Sequence, residues 1–496
     1  MQHTVGQLLS RRTVVGGVAG GLAASTLLDV GDLAEAATTR GPLPRKVDAV
    51  VVGGGLSGLT AARRLRRAGH SVLVLEARDR VGGRLLNHHI DRHHVLEAGG
   101  AFVGPTQDHI LALAKELGVA TFKEYVAGDN VYIKGGQRST YTGTVPTDLL
   151  VLPDALLLQS RIDDVAQQVD VNAPWKHPQA AQLDAISVAD WVKQNTLLPD
   201  VRNLLLCYLQ PCFGSDGHNI SMLFFLWYIA TAGDEKNVGT FERSSGTPDA
   251  AQDSRFVMGS QDVPLRLAAG LGDRVALNAP VRRIVQRDGH VDVTTPRGTV
   301  RAKRVIVAAP PHLVLGIDWH PILPARRRNL LQHMPMGHLM KCDAVYETPF
   351  WRAQGLSGSG LADAGPTRAV FDNSPADGSY GVLLAFVGGS TWAAYGRLPL
   401  AERRTAMLQG FAQMFGDQAL HPIEYTEHDW TLERWTGGGP VALPTLGAVS
   451  TWGDSIRTPF RRVHWAGTET STYWSGYMDG AVRAGERAAR EVAALL

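Results

Sequence analysis

The sequence predicts an α/β protein in which a parallel, helix-covered sheet is interleaved with a second, α+β domain. Three observations predict it. A β-branched run, Val47-Asp48-Ala49-Val50-Val51-Val52, leads straight into a glycine-rich turn and then a helical stretch. Short apolar strands recur far downstream, between residues 275 and 310 and again from Val463, so one sheet is assembled from distant segments. The chain has 496 residues, 44 % of them apolar, which is too long for one simple domain and enough to bury a large core.

The bulk numbers also exclude. The formal charge is +2, without long runs of one sign, so nucleic acid has no electrostatic footprint and is not an expected partner. Cys207, Cys212 and Cys342 contain no CxxC pair, which argues against a disulfide framework and against a metal site. There is no internal repeat. Beyond the N-terminus no apolar run is long and uncharged enough to span a bilayer.

The first 37 residues read as a targeting segment. Arg11-Arg12 precede a Gly/Ala-rich apolar run, Val14 to Leu28, and Ala34-Glu35-Ala36 offers a small-residue cleavage site. This predicts a twin-arginine signal, hence the twin-arginine export machinery as a partner and a periplasmic or extracellular location. That route carries folded proteins, which suits a cofactor loaded before export. Residues 38–46, with Pro42 and Pro44, read as a linker.

The turn after Val52 is Gly53-Gly54-Gly55-Leu56-Ser57-Gly58, followed by a helical stretch from Leu59 to Ala68. Gly53, Gly55 and Gly58 satisfy G-x-G-x-x-G in its strand–turn–helix setting. Gly53 permits the tight turn, Gly55 lets backbone approach a pyrophosphate, and Gly58 lets helix and strand pack closely. The helix N-terminus attracts the phosphates. A second strand, Ser71 to Leu75, ends at Glu76, placed for a ribose hydroxyl pair and against a 2′-phosphate. The fold is therefore of the Rossmann type and the ligand a dinucleotide. Val81-Gly82-Gly83-Arg84 adds another close backbone approach and a cation for the pyrophosphate.

Glu97 to Thr106 is a second glycine-rich turn, with a helix expected from Ile110 to Leu117. Ser221 to Ala230 (SMLFFLWYIA) is apolar on nearly all sides and reads as a buried core helix. Val275 to Val307 holds short strands with turns at Asp288-Gly289 and Pro296-Arg297-Gly298, and residues 304–310 read as another buried strand. Near the C-terminus Val463 to Thr470 reads as a strand entering a turn. Trp474 to Ala481 opens a last helix running to Leu495, with Tyr477 at its start, where an aromatic could face a cofactor ring.

From Val47 to Leu495 the chain resembles the flavin-dependent monoamine oxidase family. The stretches that carry the resemblance are Gly53–Gly58, Glu76–Arg84, Gly99–Gln107, Phe225–Tyr228, Met336–Val345 and Ala466–Arg490. The resemblance implies a monoamine oxidase-like two-domain fold, with a discontinuous FAD-binding domain over 47–121, 257–331 and 433–496. The substrate-binding domain would cover 122–256 and 332–432. It implies FAD as cofactor, bounded by Ser57, Glu76, Arg78, Gly83, Arg84, Gly100, Ala101, Val281, Trp430, Glu469, Tyr477 and Met478. It implies that Lys341 holds a water near flavin N5, where a cation assists oxygen reduction. Tyr208, Cys212, Gln252 and Phe371 would line the substrate cavity, and many relatives are homodimers.

Two departures matter. Where the best-known members attach the flavin through a cysteine, this chain has Trp435-Thr436-Gly437-Gly438-Gly439-Pro440, with Gly439 at the linking position, so the FAD is expected to be held noncovalently. Pro440 stands where a second tyrosine would face the amine opposite Tyr477, and Trp435 is the candidate to supply that wall. The expected activity is oxidation of a small-molecule amine to an imine, then an aldehyde or ketone, with oxygen reduced to hydrogen peroxide. The alternatives are an L-amino-acid or polyamine oxidase, an amine dehydrogenase using another acceptor, or a flavin-binding protein without catalysis.

Overall fold

The computed structural model describes residues 41–143, 145–146 and 151–496. Residues 1–37, which the sequence reads as a signal, and the first three residues of the expected linker lie outside them.

Two large sheets organise the chain. The first has eight strands, built around the parallel pairing of Gly298–Val307 with Lys46–Val52, Lys46–Val52 with Val72–Leu75, and Val72–Leu75 with Val275–Ala276. Val463–Trp465 pairs in parallel with the end of Gly298–Val307, and an antiparallel extension runs through His290–Thr295 to Arg283–Arg287 and Asp318–His320. The central strands are apolar on both faces because both are covered: helices lie on one, and on the other Val50, Val52, Leu73 and Leu75 cluster with Ile284, Val291, Val293 and Val300 of the antiparallel extension. Helices Leu56–Arg67, Asp262–Leu271 and Met478–Ala493 pack on one side through Leu59, Leu65, Val263, Leu267, Val482 and Val492. The second sheet has seven strands in the order Glu424–Asp429, Leu339–Tyr346, Gly381–Gly388, Ala369–Asp372, Leu356–Ala362, Asp129–Lys134, Gln137–Tyr141. Beside it a helical layer gathers around Met222–Ala230, all nine residues of which are buried.

Several boundaries differ from those the sequence predicts. The first helix begins at Leu56, not Leu59, with Gly55 as its N-cap residue, so Gly58 lies inside the helix. Its glycine is required by packing: a Cβ there would sit 2.0 Å from the Gly53 carbonyl oxygen. The expected strand over 275–281 stops at Ala276, because Asn278 takes a left-handed conformation that turns the chain away. The strand read at 304–310 starts earlier and ends sooner, at Gly298–Val307. The last helix begins at Met478, not Trp474. Trp474 (φ 50°) and Gly476 (φ 91°) are left-handed, and no helix passes through them.

Candidate active site

One cavity of about 790 Å³ joins the glycine turns of the first sheet to an aromatic chamber against the second. Its first half is a cradle. Gly53 adopts φ 107°, and a Cβ there would meet the Ala308 carbonyl oxygen at 2.9 Å. Gly55 and Gly83 approach so closely that a Cβ on Gly83 would lie 3.3 Å from the Gly55 Cα. A Cβ on Gly55 would meet nothing nearer than 3.8 Å and would instead occupy the cavity. Backbone exposed in this way is what a pyrophosphate needs.

The charged groups around the cradle are held by one another. Glu76 is buried and accepts from the backbone N–H of Gly54 (2.6 Å) and of Arg78 (2.8 Å). Arg78 donates to Glu433 (3.0 Å) and to the Thr436 hydroxyl (3.1 Å). Arg84 donates in a fork to Glu469 (2.7 and 3.1 Å) and also to the Pro440 carbonyl (2.7 Å). Burial would raise the Glu469 carboxyl, but the charge and hydrogen bonds of Arg84 outweigh it and hold the group below its ordinary value. Ser57 Oγ accepts from the Gly467 N–H (2.9 Å), tying the first helix to the C-terminal turn. Gly100, Ala101, Val281, Trp430 and Met478 complete this wall, and Trp430 donates from Nε1 to the Ala98 carbonyl (2.8 Å).

In the second half, Lys341 and Tyr477 both line the cavity. Lys341 lies on Leu339–Tyr346, whose eight residues are all buried, and is itself 2 % exposed. Its Nζ donates to the carbonyls of Glu97 and of Gly99 (3.3 Å) and lies 5.7 Å from the centre of the Phe386 ring. Burial pulls its pKa down, and Asp343 is the strongest of the charges that resist. Tyr477 ends the approach to the last helix. Its hydroxyl donates to the Ser244 carbonyl (3.2 Å) and its ring lies 5.6 Å from that of Tyr228. The Tyr208 hydroxyl meets Ser244 Oγ at 2.7 Å, so Ser244 joins both tyrosines. Cys212, with its thiol pushed up to about 12 by burial, and Phe371, 6.1 Å from Phe102 and 6.0 Å from Phe386, line the same chamber. Gln252 lines the chamber with its amide against the carbonyls of Ser245 and Gly246.

Two expected positions have neighbours that the sequence did not indicate. Trp435 lines the same cavity as Tyr477. Its ring lies beneath the guanidinium groups of Arg282 (5.5 Å) and Arg434 (4.9 Å), beside the Thr436 that Arg78 holds. Left-handed Gly437 and Gly438 then turn the chain, and Gly439 and Pro440 line the cavity as Trp435 and Thr436 do. Glu469 is not in the cavity wall and acts on it through Arg84. The sequence reading also missed Tyr228, Phe386 and Ser244. Tyr228 was hidden in a helix apolar all round, and Phe386 faces Lys341 only because their strands pair.

The model of the family described as flavin containing amine oxidoreductase matches residues 56–493. The chain belongs to that family. It is 42 % identical over 454 residues to the putative flavin-containing monoamine oxidase AofH of Mycobacterium tuberculosis, covering 91 % of this chain and 98 % of that protein. It is 37 % identical to the flavin-containing amine oxidase B of Bos taurus, over 90 % of this chain and 86 % of that one. Among solved structures it is similar to a putrescine oxidase bound to putrescine, with TM-score 0.86, 37 % identity, and 90 % and 99 % of the two chains covered. It is equally similar in fold to cyclohexylamine oxidase from Brevibacterium oxydans, with TM-score 0.86, 32 % identity and the same coverage. The protein is thus a flavin-dependent amine oxidase with a mixed α/β fold of the monoamine oxidase kind.

Proposed function

We propose that this amine oxidase holds FAD noncovalently, is exported by the twin-arginine route, and oxidises a largely apolar amine at the expense of oxygen. The observation that carries this reading is the single cavity that runs from the glycine cradle to a chamber walled by Lys341, Tyr477 and further aromatics. Strands of the first sheet fall within 46–75, 275–320 and 463–465, and those of the second within 129–141 and 339–429, which supports the discontinuous division into FAD-binding and substrate-binding domains.

Bound FAD supplies hydride acceptance from the carbon beside nitrogen and two-electron reduction of oxygen, with hydrogen peroxide and an imine as products. Glu76 holds a ribose, and Arg84, set by Glu469, faces the pyrophosphate. Gly439 offers no thiol for attachment. Tyr477 and Phe371 orient the amine, and the apolar wall favours its neutral form by desolvation. Lys341 keeps a positive charge and a water at the reacting end.

Among the described residues the lining carboxylates are Glu76, in the cradle, and Glu242, exposed at the periphery, which favours an amine with one nitrogen over a diamine. Among the described residues the lining arginines, Arg78 and Arg84, both belong to the cradle, so no arginine fork is left in the chamber for an amino-acid carboxylate. A visible spectrum, acid precipitation and anaerobic titration with an amine panel test the reading. Yellow supernatant and bleaching by apolar monoamines are expected. Flavin retained in the pellet, or bleaching by diamines or amino acids alone, overturns it.

A further inference from the structure

Behind the chamber wall Lys341 belongs to a cluster of five ionisable side chains from four segments. Leu339–Tyr346 supplies Lys341 and Asp343, two residues apart on a strand and therefore on one face. Glu97 ends Val95–Glu97, Arg255 is the middle of Ser254–Phe256, and Glu124 follows Thr121–Lys123. None of the five is more than 9 % exposed. Buried charges persist only when compensated, so the cluster must be settled group by group.

Arg255 is committed. Its Nε donates to Glu124 (2.5 Å), one terminal nitrogen to Glu97 (3.1 Å) and the other to the Ser374 carbonyl (2.5 Å). Glu97 and Glu124 are thereby engaged with a guanidinium. Lys341 donates to two carbonyls, which satisfy hydrogen bonds without supplying a net counter-charge. Asp343 is the carboxylate of the cluster that no guanidinium holds. Among the described residues its hydrogen bond comes from the Asn373 amide (3.0 Å), whose donor end is turned toward it while the Asn373 carbonyl oxygen is left without a partner. An amide presenting its donor suits an ionised carboxylate, which only accepts.

We propose that Asp343 is the counter-ion that keeps Lys341 protonated inside the buried cavity wall, and is thereby a positioning residue for the reaction of the reduced cofactor with oxygen. The inference rests on the proposed role of Lys341. Oxygen acquires negative charge as it takes electrons, and a fixed ammonium stabilises that charge where a neutral amine does not. The other groups facing the pair fit this assignment. Glu97 and Glu124 add to the field that holds the proton on Lys341, and Arg255 opposes it. Across the sheet, Lys341 is paired with Phe386 on one side and His428 on the other, and His428 Nε2 lies 3.3 Å from a Glu433 carboxylate oxygen. Asp343 is paired with Leu384 and Thr426, which carry no charge. Burial raises the Asp343 carboxyl to about 6 against the pull of Lys341, so through the neutral range the carboxylate is present to do this work.

The test separates reoxidation from amine chemistry. The holoenzyme is photoreduced without any amine, mixed with oxygenated buffer, and the return of the flavin spectrum is followed from pH 6 to 9. In the wild type the rate is expected to hold until Lys341 loses its proton. In Asp343→Asn the midpoint should fall by about 1–3 pH units, the usual consequence of losing an adjacent opposite charge, with the rate recovering at the acid end. Asp343→Glu should restore the wild-type profile, and Asp343→Ser should reproduce the Asn profile. In a Lys341→Met background Asp343→Asn should change nothing. The visible spectrum of the oxidised holoenzyme, titrated without turnover, should shift with the same midpoint. An Asn profile superimposable on the wild type, or an equal loss in the Met background, overturns the proposal. Should the amine panel fail to bleach the flavin, the functional reading falls while photoreduction still reports on Asp343.

Discussion

Replacing Arg84 with Met should destabilise the protein by about 3–5 kcal/mol at neutral pH, the usual cost of stripping a buried charge of its partner. The magnitude follows from the geometry. The Glu469 side chain is 4 % exposed, Arg84 is 24 % exposed, and the two form a fork of 2.7 and 3.1 Å. The backbone N–H of Ala442, at 3.4 Å, is a weak substitute. In the wild type burial would raise the Glu469 carboxyl, yet Arg84 holds it below its ordinary value. The wild-type pair therefore contributes stability that is present above the unfolded carboxyl pKa and lost as pH falls through the lower folded one. In Arg84→Met the sign reverses. Burial then dominates, the folded carboxyl rises above its unfolded value, and stability falls as pH climbs from the unfolded pKa toward the folded one. The deficit relative to wild type should accordingly be largest near pH 7 and shrink toward pH 5, and Arg84→Met combined with Glu469→Gln should recover part of it. Urea unfolding at both pH values, read by tryptophan emission and by release of flavin fluorescence, measures this. A deficit below about 1 kcal/mol, the worth of an exposed ion pair, or one independent of pH, would refute the argument.

Two further substitutions probe the cofactor cradle. Gly439→Cys should fit without strain, since a Cβ there meets nothing nearer than Trp430 Cβ at 3.5 Å, and it puts a thiol where the family's linking cysteine stands. Part of the flavin should then stay with acid-precipitated protein, and complete release would show that the position does not face the ring. Gly58→Ala places a Cβ 2.0 Å from the Gly53 carbonyl oxygen and should yield a folded protein depleted of FAD, seen as a lowered ratio of visible to ultraviolet absorbance. Full flavin content would mean that the helix can shift without disturbing the turn.

Much of this protein was legible in its sequence because the relevant chemistry is local. Gly53, Gly55 and Gly58 stand in a fixed strand–turn–helix frame, Glu76 closes the next strand, and Gly83-Arg84 follow at once, so spacing alone locates a dinucleotide cradle. The continuous resemblance from Val47 to Leu495 located Lys341 and Tyr477 in the same way. Helix starts were less legible. Gly58 looked like part of the turn although it is helical, and Trp474 looked helical although its left-handed backbone forbids it.

The sequence by itself determined the glycine cradle, the missing thiol at position 439 and the presence of a lysine in an apolar strand, because each is a matter of which residue stands where along a few consecutive positions. Only the tertiary structure decided which side chains share a space. It turned Trp435 toward Arg282, gave Tyr477 the companions Tyr228 and Tyr208, put Glu469 behind Arg84, and gathered Glu97, Arg255 and Glu124 around the strand that carries Lys341 and Asp343. These contacts join residues separated by tens to hundreds of positions. They are fixed by strand pairing and by turns with left-handed glycines, and no local pattern of residues encodes such a pairing.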